Sequence, residues 1–394
     1  MKPFAAALLF CGLSSSLFAL EKGKSSRDFK VSYETKEFIS GAQGGANKKI
    51  GRFSFENNWK FQLNKKNKTT VKIPYASASL ETTLNGVTTK DEVEGEKDIS
   101  IVHEMTTRKP KIGRTGVKWK FKINLPNGEE QLTASENRVT SAMGETGQGF
   151  SNPTYGKGLN LGFDVTLTDK VGKKDSDAYT FGYNLNGSYS SLADTISYKH
   201  PGDNLLFNYK RTRQRNKKLS FTWTVGANYT RRTVNLRPGN VESANPSRIE
   251  GNASFAFVKQ RNKKLKETVS LKLQERGEIE VQESTGQIVR TEQGDRATLS
   301  WIFSKKKNKK VTQNYGLNGI FGQANDNLEV VAPTVGNPTA KIGKDNNTKM
   351  EEVQFSFGQT YQVNKHRKWF YNIDIGLTDD SRDWVVGAGL SMMF

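Results

Sequence analysis

Apolar residues recur along this chain with a period of two rather than 3.6. Phe53, Phe55, Trp59, Phe61 and Leu63 alternate with Arg52, Ser54, Glu56, Lys60 and Gln62. Val117, Trp119, Phe121, Ile123 and Leu125 alternate with Lys118, Lys120, Lys122 and Asn124. The same alternation runs through Leu219–Thr230, Trp369–Leu377 and the last stretch, Arg382–Phe394. Side chains alternate across a strand, so each run predicts a strand with one apolar and one largely polar face. Uncharged polar residues and glycine dominate many of the second faces.

Short basic tracts separate the runs, among them NKKNK from Asn64, RNKK from Arg215, RNKKLK from Arg261, KKKNKK from Lys305 and NKHRK from Asn364. Their starts lie mostly about 45 residues apart, room for two long strands and a loop, as an up-and-down barrel requires. Two wider gaps hold long polar insertions, Pro126–Gly158 and Gln323–Asn347. The expectation is an all-β, transmembrane, antiparallel up-and-down barrel of about 16 strands, within a range of about 12 to 16. No run of about 18 apolar residues is present beyond the first residues, and the mean hydropathy of -0.68 suits strands whose inner face is wet.

The final strand, RDWVVGAGLSMMF, puts Trp384, Val386, Ala388, Leu390, Met392 and Phe394 on one face. It resembles the terminal strand of Gram-negative outer-membrane β-barrels of porin type. That resemblance implies that Phe394 belongs to the signal read by the barrel assembly machinery. It also implies an outer-membrane location with both termini periplasmic, the basic tracts as periplasmic turns, and contact with outer-membrane lipid and lipopolysaccharide. At the other end, Lys2, the apolar run Phe4–Leu13 and Leu17-Phe18-Ala19 have the regions of a secretory signal peptide. Residues 1–19 are expected to be a cleaved signal and 20–394 a single barrel domain. Cys11 is the one cysteine, and bulky Phe10 before it weighs against a lipoprotein box. A mature chain without cysteine excludes disulfides and thiolate metal sites.

Sixty Lys and Arg against 40 Asp and Glu give a formal charge of +20. The basic residues repeat at turn spacing without aromatics among them, so the charge reads as solvated turns beside anionic headgroups and not as a nucleic-acid surface. Of the three histidines, His200 and His366 fall in turn signals and His103 on a strand. No serine and histidine stand in a recognisable arrangement, and neither an enzyme nor a cofactor is expected.

The candidate site is the lumen. Arg52, Lys60, Lys72, Lys118, Lys120 and Lys122 share the polar register of the second, third and fifth strands and are expected to line a pore as a positive wall. The loop after the fifth strand carries Glu129, Glu130, Glu136 and Glu145. A long acidic loop at that place resembles the general-porin plan, in which it folds inward to face basic residues and form a constriction. The expectation is a porin-like channel for passive diffusion of small hydrophilic solutes, biased toward anions by lumen lysines. The porin resemblance also extends to homotrimers. Two alternatives stay open. The string GETGQGFSNPTYGKGLNLGF from Gly144 resembles barrels of the phenol-degradation transport family, which implies a transporter for aromatic or hydrophobic compounds. The other is a non-conducting structural or adhesive barrel using acidic outer loops such as KDEVEGEKD from Lys90.

Overall fold

The structure is a computed structural model that describes residues 25–40, 46–128, 132–144, 156–188, 198–237, 241–245, 247–275, 278–282, 288–292, 294–322, 326–330, 350–364, 366–377 and 384–393. The expected signal segment 1–19, Glu129, Glu130, Glu145 and Phe394 lie outside them. In chain order the first strands are β1 (Ser25–Ser40), β2 (Ala46–Gln62), β3 (Asn67–Leu84), β4 (Val87–Glu96), β5 (Ile99–Arg108) and β6 (Gly116–Leu125). A helix, α1 (Ala134–Gly144), then precedes β7 (Asn160–Asp169), β8 (Asp175–Leu185), β9 (Tyr198–His200), β10 (Asn204–Asn216) and β11 (Leu219–Thr230). Next come β12 (Thr233–Arg237), β13 (Val241–Asn245), β14 (Arg248–Gln260), β15 (Leu265–Gln274), β16 (Glu278–Gln282) and β17 (Ile288–Glu292). The last are β18 (Arg296–Lys306), β19 (Val311–Gly322), β20 (Asp326–Val330), β21 (Met350–Gln362), β22 (Arg367–Gly376) and β23 (Trp384–Met393).

Seventeen of these segments form one antiparallel sheet, and it closes where β1 pairs with β23 from Ser26↔Met393 to Thr35↔Trp384. β4 and β5 both lie opposite β3, with Ala78↔Val93 in the upper part and Lys72↔Ser100 in the lower. The register slips by one residue between them, so they are two parts of one barrel position broken at Lys97-Asp98. The barrel therefore has sixteen positions, with no free edge. The other six strands form two three-stranded sheets, β13-β12-β9 and β16-β17-β20, at the rim opposite the short turns.

One register runs unbroken around the wall. From Phe53 through Phe121, Phe163, Phe181, Phe207, Val225, Phe255, Leu271, Leu299, Leu317, Phe355 and Tyr371, the large apolar residues share the outward face, most of them 37–49 % exposed. A contiguous apolar belt open on that scale is not sustainable in water and fits acyl chains instead. The outward run Leu219–Tyr229 covers about 25 Å of bilayer at the usual strand tilt. No helix among the described residues is long and apolar enough to cross a membrane; the crossing is made by strands.

The basic turns have a common build. The side-chain oxygens of Asn64, Asn262, Asn308 and Asn364 each accept the backbone N–H groups two and three residues on. Asparagine thus closes the turn, as an Asx-turn does. Gln62, Gln260 and Gln362 donate from the preceding strand end to carbonyls of the same turns.

The stretch from Lys90 does not form a loop. Lys90–Glu96 belongs to β4, with Lys90, Glu92, Glu94 and Glu96 outward and Asp91 and Val93 inward. Four charged residues on the outward register cannot face acyl chains, so this part of the wall stands above the belt. Close approach fixes one glycine at the closing seam: a side chain on Gly389 would meet the Phe370 ring and the Phe29 carbonyl of β1.

Candidate functional site

The register sets the inner surface. Even-numbered residues of β1–β3 and of β5–β22 in the barrel, and odd-numbered ones of β4 and β23, point inward. Arg52, Lys60, Lys72, Lys118, Lys120 and Lys122 all fall on that register, on β2, β3 and β6. Sequence reasoning missed the carboxylates that face them from neighbouring strands. Arg52 lies 2.9 Å from Glu34, Lys72 is 2.7 Å from Glu56, and Lys118 is 2.9 Å from Glu104. Lys60 pairs with Asp28, and Asp164 holds Lys122 at 2.8 Å with Lys120 at 3.8 Å. Acid and base alternate from β1 to β7 in a ladder of ion pairs that offsets much of the expected positive wall, although Lys30, Lys36, Lys48 and Lys68 on the same register keep it net positive.

The opposite wall differs. Inward residues on β10, β11, β14 and β15 are mainly Asn, Thr and Ser, among them Asn208, Thr222, Thr224, Asn228, Asn252 and Ser254. Lys210 and Lys272 stand in one row of this wall, linked by Lys210↔Thr224, Thr224↔Ser254 and Ser254↔Lys272, and both are exposed. Among the described residues neither has a carboxylate partner. Lys210 and Lys272 therefore add unpaired positive charge across from the lysines that sequence spacing singled out.

The described part of the long insertion after β6, residues 132–144, packs against the inner wall. Its helix α1 starts at a capping box: the Thr133 hydroxyl accepts the Glu136 N–H at 3.3 Å, and the Thr133 N–H donates to the Glu136 carboxylate at 2.8 Å. Glu136 is thus occupied in holding the helix start. Leu132, Val139, Ala142 and Met143 pack against the inward residues Ile50, Ala76, Ala78, Leu80 and Val93 of β2, β3 and β4. This apolar cluster lies inside the wall at and above the upper edge of the belt, at the mouth of the lumen. Beside it, Asp91 accepts two hydrogen bonds from the Arg138 guanidinium at 2.9 and 2.6 Å and one from the Ser135 hydroxyl at 2.7 Å. The break at Lys97-Asp98 has a matching purpose. The Asp98 carboxylate accepts the Gly128 N–H at 3.0 Å and the Lys157 N–H at 2.7 Å, tying down both ends of the insertion.

The hydrogen bonds from Arg138 hold the Asp91 carboxyl below its ordinary value of 3.8, against the opposing effect of burial. A lowered value means that this support of docking is complete above the ordinary value and is lost as pH falls through the lowered one. Asp91→Asn should therefore reproduce at neutral pH the loosening that the parent shows only in strong acid. Limited proteolysis within residues 126–158 reads this directly, and equal cleavage of parent and variant at neutral pH would assign the docking to the apolar contacts alone.

No protein-family model and no curated protein matches the chain. Solved structures with a similar course include an outer membrane channel from Pseudomonas putida F1, with 7 % identity over 96 % of this chain and 98 % of that one at a TM-score of 0.40. Others are a deletion mutant of the TodX monoaromatic hydrocarbon channel (10 % identity, 94 % and 91 % covered, TM-score 0.42) and the outer membrane protein OmpT of Vibrio cholerae (10 %, 95 % and 100 %, TM-score 0.39). The closed antiparallel wall and the outward apolar belt define the class: a transmembrane β-barrel of the outer-membrane type.

Proposed function

We propose that this barrel is a porin-like outer-membrane channel through which small hydrophilic solutes diffuse, with a weak preference for anions. The observation that carries this is the inner surface. Along the barrel strands of β6–β15 it consists mainly of Asn, Gln, Ser, Thr, Gly and charged side chains, with Leu206 and Val258 as isolated large apolar exceptions. Such groups are satisfied by water and give an apolar solute no continuous path, which weighs against a hydrocarbon transporter. Lys210 and Lys272 contribute to the preference for anions, whereas Lys72 of β3, the lysines of β6 and Lys60 of β2 are each paired with a carboxylate. In this reading the short basic turns and both ends of the sheet face the periplasm, and α1 narrows the outer mouth.

Planar-bilayer recording of the refolded protein under a salt gradient tests the proposal. Stable conductance steps with a reversal potential displaced modestly toward that of the anion are expected. A folded barrel that conducts nothing would overturn it.

A further inference from the structure

A groove of about 850 Å³ opens on the outer surface of the barrel where the belt meets the turn rim. Its floor is aromatic, built from Phe221 and Trp223 of β11 and Phe255 of β14, and Phe255 is 44 % exposed. Its rim is cationic. Lys173 and Lys174 come from the β7–β8 turn, and Arg211, Arg213 and Arg215 from the end of β10. Arg211 is opposite Trp223 and Arg213 opposite Phe221, so both arginines stand on the lipid-facing register. A cation there costs about 2–4 kcal/mol at mid-bilayer and about 0–1 kcal/mol near the interface, so this depth is tolerable, but something must still solvate the charge.

The side chains nearby do so only partly. Asp175 and Asp177 are two carboxylates against five cations. The Arg211 Nε lies 3.3 Å from the Asp177 Oδ1, yet neither buried atom has a hydrogen-bond partner. The site thus presents an ion pair without a well-formed hydrogen bond, an excess of positive charge and an apolar trough running from them into the belt.

We propose that this groove holds one anionic phospholipid of the leaflet at the turn rim, with phosphatidylglycerol as the fitting chemistry. Its phosphate lies among Arg211, Arg213 and Lys173, and an acyl chain covers Trp223 and Phe255. A free phosphate would satisfy the cations but leave most of the groove empty and its aromatic floor bare. The assignment rests on the membrane-spanning reading of the barrel, and its test separates the two.

Delipidated barrel in detergent is titrated with phosphatidylglycerol, phosphatidylcholine or glycerol phosphate and examined by native mass spectrometry. The same preparation is checked for insertion into vesicles. One phosphatidylglycerol per barrel should survive activation that strips phosphatidylcholine, and glycerol phosphate should not be retained. The double variant Lys173→Gln, Arg213→Gln should lower retention about thirtyfold, as expected for two interfacial cations. Lys309→Gln with Lys310→Gln, which removes the same charge at another turn, should leave it unchanged. Equal losses in both variants, equal retention of phosphatidylcholine, or retention of glycerol phosphate would overturn the site. Failure to insert into vesicles would instead overturn the membrane reading itself.

Discussion

Replacing Val139 by Asp is expected to release α1 from the wall and raise the single-channel conductance, roughly twofold if the helix narrows the mouth as proposed. Val139 is completely buried in the cluster that joins the helix to Ile50, Leu80 and Val93. A carboxylate there would have no partner in an apolar contact, and burying it costs several kcal/mol. An eleven-residue helix has little stability of its own, so the docked state cannot absorb that cost. The barrel would persist, because its closure depends on the β1–β23 pairing, to which the helix contributes no strand. Heat-modifiable gel migration should thus be unchanged while the insertion becomes open to protease. Met143→Leu, which conserves volume, should leave both conductance and protection as they are. An unchanged conductance in a Val139→Asp barrel whose loop is demonstrably cut would mean that the constriction lies elsewhere.

The contrast between Val139 and the strands shows which information a sequence carries openly. The wall was legible because alternation is local: Phe221, Trp223 and Val225 announce an outward face without reference to any partner. The basic turns were legible as boundaries, and their asparagines show why, since Asn64 and its counterparts build the turn by themselves. Two things were hidden. The segment Lys90–Glu96 carries acids on both faces of a strand, and so read as a loop although its backbone belongs to the wall. The ion-pair ladder was hidden more deeply. Glu34 and Arg52 are 18 residues apart, Glu104 and Lys118 are 14 apart, and Asp164 and Lys122 are 42 apart. Only the strand register brings these pairs together, and a slip of one residue would turn them to opposite faces. The helix had a readable start in Thr133 and Glu136 and a readable face in Val139, Ala142 and Met143. Its docking ground, five alanines and aliphatics spread over three strands of polar register, gave no such signal.

The ladder leads to the second large expectation, on charge selectivity. The triple variant Lys118→Gln, Lys120→Gln, Lys122→Gln should do more than weaken an anion preference: it should move the reversal potential past zero toward cations. Removing the three ammonium groups uncovers Glu104 and Asp164, so the β5–β7 face changes from a small positive excess to net negative in a confined, poorly screened space. The converse pair, Glu104→Gln with Asp164→Asn, should strengthen anion preference, because the same lysines are then left without counter-charge. Combining all five substitutions should return selectivity close to that of the parent, with Lys210 and Lys272 still in place. Lys210→Gln with Lys272→Gln should weaken the parent's anion preference without inverting it, since no carboxylate is exposed by that change. The ordering of the reversal potentials across these four variants distinguishes lysines paired with carboxylates from an unpaired positive wall. A positive wall would make the triple lysine variant merely neutral and the carboxylate variant indistinguishable from the parent. A set of variants that all read alike would place the selectivity-determining section outside β5–β15, at the mouth closed over by α1.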